Sequence, residues 1–180
     1  MHNFSELIRH STELSINALN IAQQSAIESL QTSAATLSVK TLQAVHLQKA
    51  ITAIGMFSMF DAILQEQLQC SNGFQRAAEL LEDQGETALK EQFCDLQRAV
   101  NVLKHGRGRS YDALVQQASS LSFRVKLPGE VFFNEGDIAE VSTLIEVDDQ
   151  FMLLCAQTIY SVTVSINLGH LEKPRLAHPW

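Results

Sequence analysis

Arg98, Asn101 and His105 are the residues of this chain whose types and spacing best suit chemistry. At about 100° per residue, Leu89, Phe93, Leu96, Val100 and Leu103 fall on one arc of a helix. Arg98, Asn101 and His105 fall opposite, beside Glu91 and Cys94. Arg98 and His105 are two turns apart, about 10 Å along the axis, so their side chains can converge on a phosphate-sized group. A guanidinium holds such an anion bidentately, and an imidazole, which titrates close to neutrality, moves a proton beside it. A polar face of this kind gains a dry, strong electrostatic environment only when something covers it, and a second copy of the chain is the expected cover.

The charge pattern points to the same place. The chain carries 20 acids and 13 bases, a formal charge of -7, which argues against a surface coated in nucleic-acid contacts. Yet Arg98, Lys104, Arg107 and Arg109 crowd into one stretch that holds no acid. Gly106 and Gly108 let the backbone approach an anion, and a helix opening at Ser110, the expected N-cap, adds free N–H groups. The Gly-rich run ending in Gly-Lys-Ser/Thr of a phosphate loop is missing. An ordinary alternative stands beside this one. Bases at a helix C-terminus favour the macrodipole, and a following glycine is a common cap, which accounts for Lys104, His105 and Gly106 without function.

These residues must be positioned by helices. No proline precedes Pro128, and the chain up to there is rich in Ala, Leu, Gln, Ser and Glu. The periodicity predicts helices over about 4–35, 39–69, 74–83, 86–105 and 111–117. The second has a wide apolar arc through Leu47, Ile51, Ile54, Met56, Phe57 and Phe60, as suits a central helix. Cys70-Ser71-Asn72-Gly73 is expected to cap its end.

The pattern changes at Leu121. Residues 122–126 alternate, Pro128-Gly129 is a turn signal, and 130–133 and 141–147 read as short strands. A small antiparallel β insertion over 121–147 is therefore expected before a last helix, capped by Asp148 or Asp149 and running to about Leu168. Phe151–Leu168 carries no formal charge and approaches the length of a membrane span, but Gln157, Asn167 and its Ser and Thr residues favour a buried core helix. The reading is one mainly α-helical domain over 1–180, cytoplasmic and not inserted in a membrane, whose three cysteines suit neither a disulfide scaffold nor a zinc site. No metal or cofactor is expected. Trp180 is expected to be exposed or docked on a partner.

The stretch Arg98-Ala-Val-Asn-Val-Leu-Lys-His105 resembles the signature of the HEPN superfamily, small helical domains that include many ribonucleases of toxin and defence systems. The family motif is an arginine and a histidine four to six residues apart near a helix end, and the gap here is six. Met56-Phe57-Ser-Met-Phe60-Asp61 is similar to the family's central helix, which often carries an acid among aromatics. The family usually has a polar residue after the arginine. Ala99 stands there, with Asn101 one turn before His105.

The resemblance implies a HEPN-like helical bundle forming a homodimer, its two arginine-histidine helices facing across a cleft, and metal-independent RNA cleavage by internal transfer. His105 would move the proton of a ribose 2′-hydroxyl or leaving oxygen, and Arg98 would stabilise the phosphate. Asn101 would orient the histidine. Lys104, Arg107, Arg109 and Ser110 would hold neighbouring phosphates. Asp61 is a candidate partner for Arg98 or an acid on a narrow solvent stripe, and Tyr111 is a candidate base-stacking ring that the first turn of a helix equally suits to packing. An antitoxin or a nucleotidyltransferase partner is also implied. The alternative is a non-catalytic dimeric module binding a nucleotide, RNA or a protein.

Overall fold

The structure, a computed structural model, describes residues 4–32, 36–130 and 143–168. Six α-helices follow one another: α1 (Phe4–Thr32), α2 (Thr36–Leu68), α3 (Gly73–Asp83), α4 (Thr87–His105), α5 (Arg109–Gln116) and α6 (Asp149–Ser165). The mainly helical reading of the sequence holds, with each expected helix present.

All six share one core. α1 buries Ser5, Ile8, Thr12 and Ile16, one residue per turn, and packs on α2 and α6. α2 is buried along most of its length, through Leu42, Val45, Ala53, Met56, Phe60 and Leu64. Four phenyl rings knot α2, α3 and α4 together: Phe93 lies 5.5 Å from Phe74, 6.2 Å from Phe60 and 6.3 Å from Phe57 between centroids. Offset and edge-on pairs at such separations add to the area they bury.

The α2–α3 corner differs from expectation. Gln69, at φ 50°, is the left-handed residue that ends α2, and the Cys70 N–H bonds the Gln65 carbonyl at 3.2 Å. Asn72 instead caps the next helix, its Oδ1 accepting from the Gln75 N–H at 3.1 Å. Gly73 is required for a different reason from the cap. A Cβ there would stand 2.6 Å from Leu64 Cβ and 2.9 Å from the Asp61 carbonyl, so only glycine lets α3 start this close to α2.

The expected β insertion is not found among the described residues. Val125 and Ile145 form a single antiparallel bridge, with the Lys126 N–H bonding Leu144 O and the Glu146 N–H bonding Arg124 O. Pro128 has no N–H to offer and Gly129 turns the chain at φ 83°, so pairing stops there. The segment runs across the bundle as an extended strap, Phe123 meeting Phe151 of α6 edge-on at 5.4 Å. The predicted strands at 131–133 and 141–142 lie outside the described residues, as do residues 169–180 with Trp180.

Asp148, not Asp149, caps α6, accepting the Phe151 N–H at 2.7 Å. The uncharged run beyond it is a core helix: Met152, Cys155, Ile159 and Val162 are fully buried. Among the described residues the helix long and apolar enough to cross a membrane is α2, whose most apolar window is 39% buried.

Candidate functional site at the α4–α5 corner

α4 buries Phe93, Leu96 and Val100 as expected, with Leu89 and Leu103 partly covered. It also buries Ala99 and Val102, which lie outside the apolar arc read from the sequence. α4 is packed by α2, α3, α5 and α6 and not on one side alone. Gly106, at φ 74°, ends α4 with its N–H on the Val102 carbonyl at 2.8 Å, and the chain folds back so that Tyr111 and Leu114 are buried. The three residues of the polar face do not converge within the chain: Arg98 lines one cavity and Asn101 another.

Arg98 goes one way. Its side chain, 42% exposed, pairs with Asp95 at 2.7 Å and not with Asp61. Asp95 also accepts from Gln117, just beyond α5. Arg98, Cys94 and Glu91 line an open cavity of about 620 Å³ with Lys90, Gln117 and Ser120. Burial pushes the Cys94 thiol up, against the pull of Arg98 and Lys90, so it is a protonated thiol at neutral pH rather than a nucleophile.

Asn101 and Lys104 go the other way. They line a smaller cavity of about 130 Å³ between α2, α3 and α4, with Phe57, Ser58, Asp61 and Phe74. Asp61 accepts from Gln65 Nε2 through Oδ2 at 2.8 Å, while its buried Oδ1 has no hydrogen-bond partner among the described residues. That oxygen is packed against Gly73 and closed to solvent, so the edge of Asp61 that meets the cavity is its Gln65-bonded side.

His105, Arg107 and Arg109 are exposed at the corner itself, next to the exposed Lys104. A Cβ built on Gly106 or Gly108 would meet nothing within 4 Å, so the backbone here is open to an approaching group. One expectation needs correction, and one open alternative closes. Ser110 is not the N-cap: α5 starts at Arg109 with Gly108 in the cap position, and Ser110 lies in the first turn. Tyr111 is not a free stacking platform, because its ring is buried and its hydroxyl donates to the Lys126 carbonyl at 2.7 Å. The Arg107 guanidinium lies 5.8 Å from that ring's centroid.

One polar cluster was missed. Lys49, 5% exposed on the buried arc of α2, pairs with Asp149 at 2.7 Å, and Asn20 of α1 donates to the other carboxylate oxygen at 2.9 Å. Burial works to raise the Asp149 carboxyl, but the hydrogen bonds from Lys49 and Asn20 and the Lys49 charge hold it below its ordinary value. A lysine at helical spacing among Leu42, Val45 and Ala53 was the available signal. Among the described residues no three His, Cys, Asp or Glu gather as metal ligands. Compared with known proteins, the chain matches no family model, no curated sequence and no solved structure.

Proposed function

We propose that this chain is a helical RNA-binding module, with a base held in the α2–α3–α4 cavity and the adjoining phosphates on the basic corner. Lys104 carries the reading, because it both lines the cavity that contains Asp61 and opens the exposed basic run that Arg107 and Arg109 continue. A nucleotide entering there would meet the Asp61 carboxylate, the Asn101 and Gln97 amides, the Ser58 hydroxyl and the half-buried Phe74 ring, with its phosphate toward the cations. Splayed bases in single-stranded RNA are recognised in this manner, by stacking and hydrogen bonds to their edges. Guanine, which offers adjacent N–H donors, suits a carboxylate best.

The HEPN-like relation belongs to this proposal in its non-catalytic form. Within one protomer Arg98 is paired with Asp95 and aimed away from the Asn101–Lys104 cavity, and His105 stands exposed at the helix end. Cleavage would require a second molecule to bring these groups together.

Anisotropy of labelled single-stranded RNA tests the reading. The variant K104A/R107A/R109A is expected to weaken binding and flatten its salt dependence by about 0.7 in log–log slope per lost phosphate contact. D61N should weaken a guanine-containing strand more than a uridine strand. Unchanged binding by the triple variant would refute the proposal. Metal-free incubation with RNA beside H105A addresses catalysis: cleavage by the parent alone would replace the non-catalytic form with an endoribonuclease.

A further inference from the structure

The Arg98 cavity, apart from the basic corner, has the size of a small-molecule site. It lies between the outer side of α4 and residues 117–122, which lead away from α5. Its volume of about 620 Å³ is within the roughly 300–1,000 Å³ usual for such sites. Its charge is balanced: Lys90 and Arg98 stand against Glu91 and Asp95. Such a lining gives no advantage to a ligand of strong net charge and suits one that carries both signs.

The two signs have separate places. Asp95 accepts from Arg98 Nη1 at 2.7 Å and from Gln117, which holds the guanidinium by one edge. Its Nη2 has no partner among the described residues and is left for an incoming acceptor. Lys90 is already answered by Glu82 of α3 at 2.8 Å, while Glu91 forms no ion pair among the described residues. The group open to an anion is therefore Arg98, and the group open to a cation is Glu91.

Their spacing sets a length. Glu91 and Arg98 are seven residues apart on one side of α4, two turns or about 10 Å along a rigid axis. An extended peptide spans about 3.3–3.6 Å per residue, so three residues put an ammonium and a carboxylate about that far apart. Between these ends the cavity offers what a peptide backbone needs. Gln92 and Gln117 give their amide N–H groups to Thr158 and Asp95, so their carbonyl oxygens remain to accept from peptide N–H groups. Cys94, Ser120 and Ser122 are small walls that leave room for side chains.

We infer that this cavity binds short free peptides of about three residues, with the N-terminal ammonium at Glu91 and the C-terminal carboxylate on Arg98. Neither partner is needed for the fold, since both side chains reach water at the surface of α4.

A nitrogen-15 shift titration of the full chain with trialanine, read at the Gln92 and Gln117 side-chain amides, tests the assignment, which does not depend on RNA binding. Saturable shifts at those amides are expected. N-acetyl-trialanine and trialanine amide, each lacking one charge, should bind about tenfold more weakly, the equivalent of one charge-assisted hydrogen bond. Glu91→Gln should weaken trialanine and leave the acetylated peptide as it was. Arg98→Gln should weaken trialanine and leave the amidated peptide as it was, a pairing of variant and terminus that a merely structural role would not produce. Shifts that never saturate, equal affinity for free and blocked peptides, or variants that weaken all three peptides alike would overturn the inference.

Discussion

Two polar regions of this molecule use the same residue types to opposite ends. At the junction of α1, α2 and α6, Lys49 is sunk among apolar side chains and answered by Asp149 and Asn20. At the α4–α5 corner, Lys104, Arg107 and Arg109 stand in water, with no carboxylate paired to them among the described residues. The difference is one of completeness. A buried charge has to be answered by the chain itself, because leaving it open costs several kcal/mol. An exposed one carries no such demand and stays available to something else. The junction therefore reads as architecture, and the corner as a surface for a ligand.

The contrast is sharpened by breaking each side. The largest effect is expected from Lys49→Ala, which leaves Asp149 facing an apolar gap. A urea melt should show a loss of roughly 2 kcal/mol, less than a wholly buried pair because Asp149 keeps part of its water. Lys104→Ala, in the same assay, should change stability hardly at all. If the two lysines behaved alike, the distinction would fail.

Acid is the next lever. The Asp149 carboxyl is held below its ordinary value in the folded chain. Its contribution is therefore complete above the usual carboxylate range and disappears as the pH falls through the folded-state value. Stability followed from neutrality to about pH 3 should drop, and Asp149→Asn should remove part of that drop. A D149N profile parallel to the parent's would count against the linkage. The smallest effect belongs to Arg98→Ala. Its pair with Asp95 is half in water and one turn apart on a single helix, so thermal melts should move by no more than about 0.5 kcal/mol.

The parts legible in the sequence were those set by local rules. Absence of proline and helical periodicity gave the helices, and the uncharged run after Asp149 gave a core helix, with its cap two residues wide in uncertainty and settled at Asp148. The misreadings came from contacts that no local pattern encodes. The burial of Ala99 and Val102 lay outside the apolar arc of the helix wheel, because α4 is packed by α2, α3, α5 and α6 and not on one side alone. Tyr111 was left between stacking and packing because its hydroxyl's partner, the Lys126 carbonyl, lies in another segment. The alternation of 122–126 suggested a sheet, yet alternation describes equally well a strap with one face on the bundle. Lys49 stood out by its spacing among Leu42, Val45 and Ala53, but its partner, Asp149, comes from the far end of the chain.

That distance along the chain bears on the order in which the molecule is built. Lys49 is synthesised long before Asp149, and an ammonium without its counter-charge resists leaving water. The first two helices can thus form on the ribosome, but their mutual closure at this level must wait for the last one. The aspartate that opens α6 acts as the latch of a late assembly step, and a truncated chain ending before it would keep its first hairpin ajar.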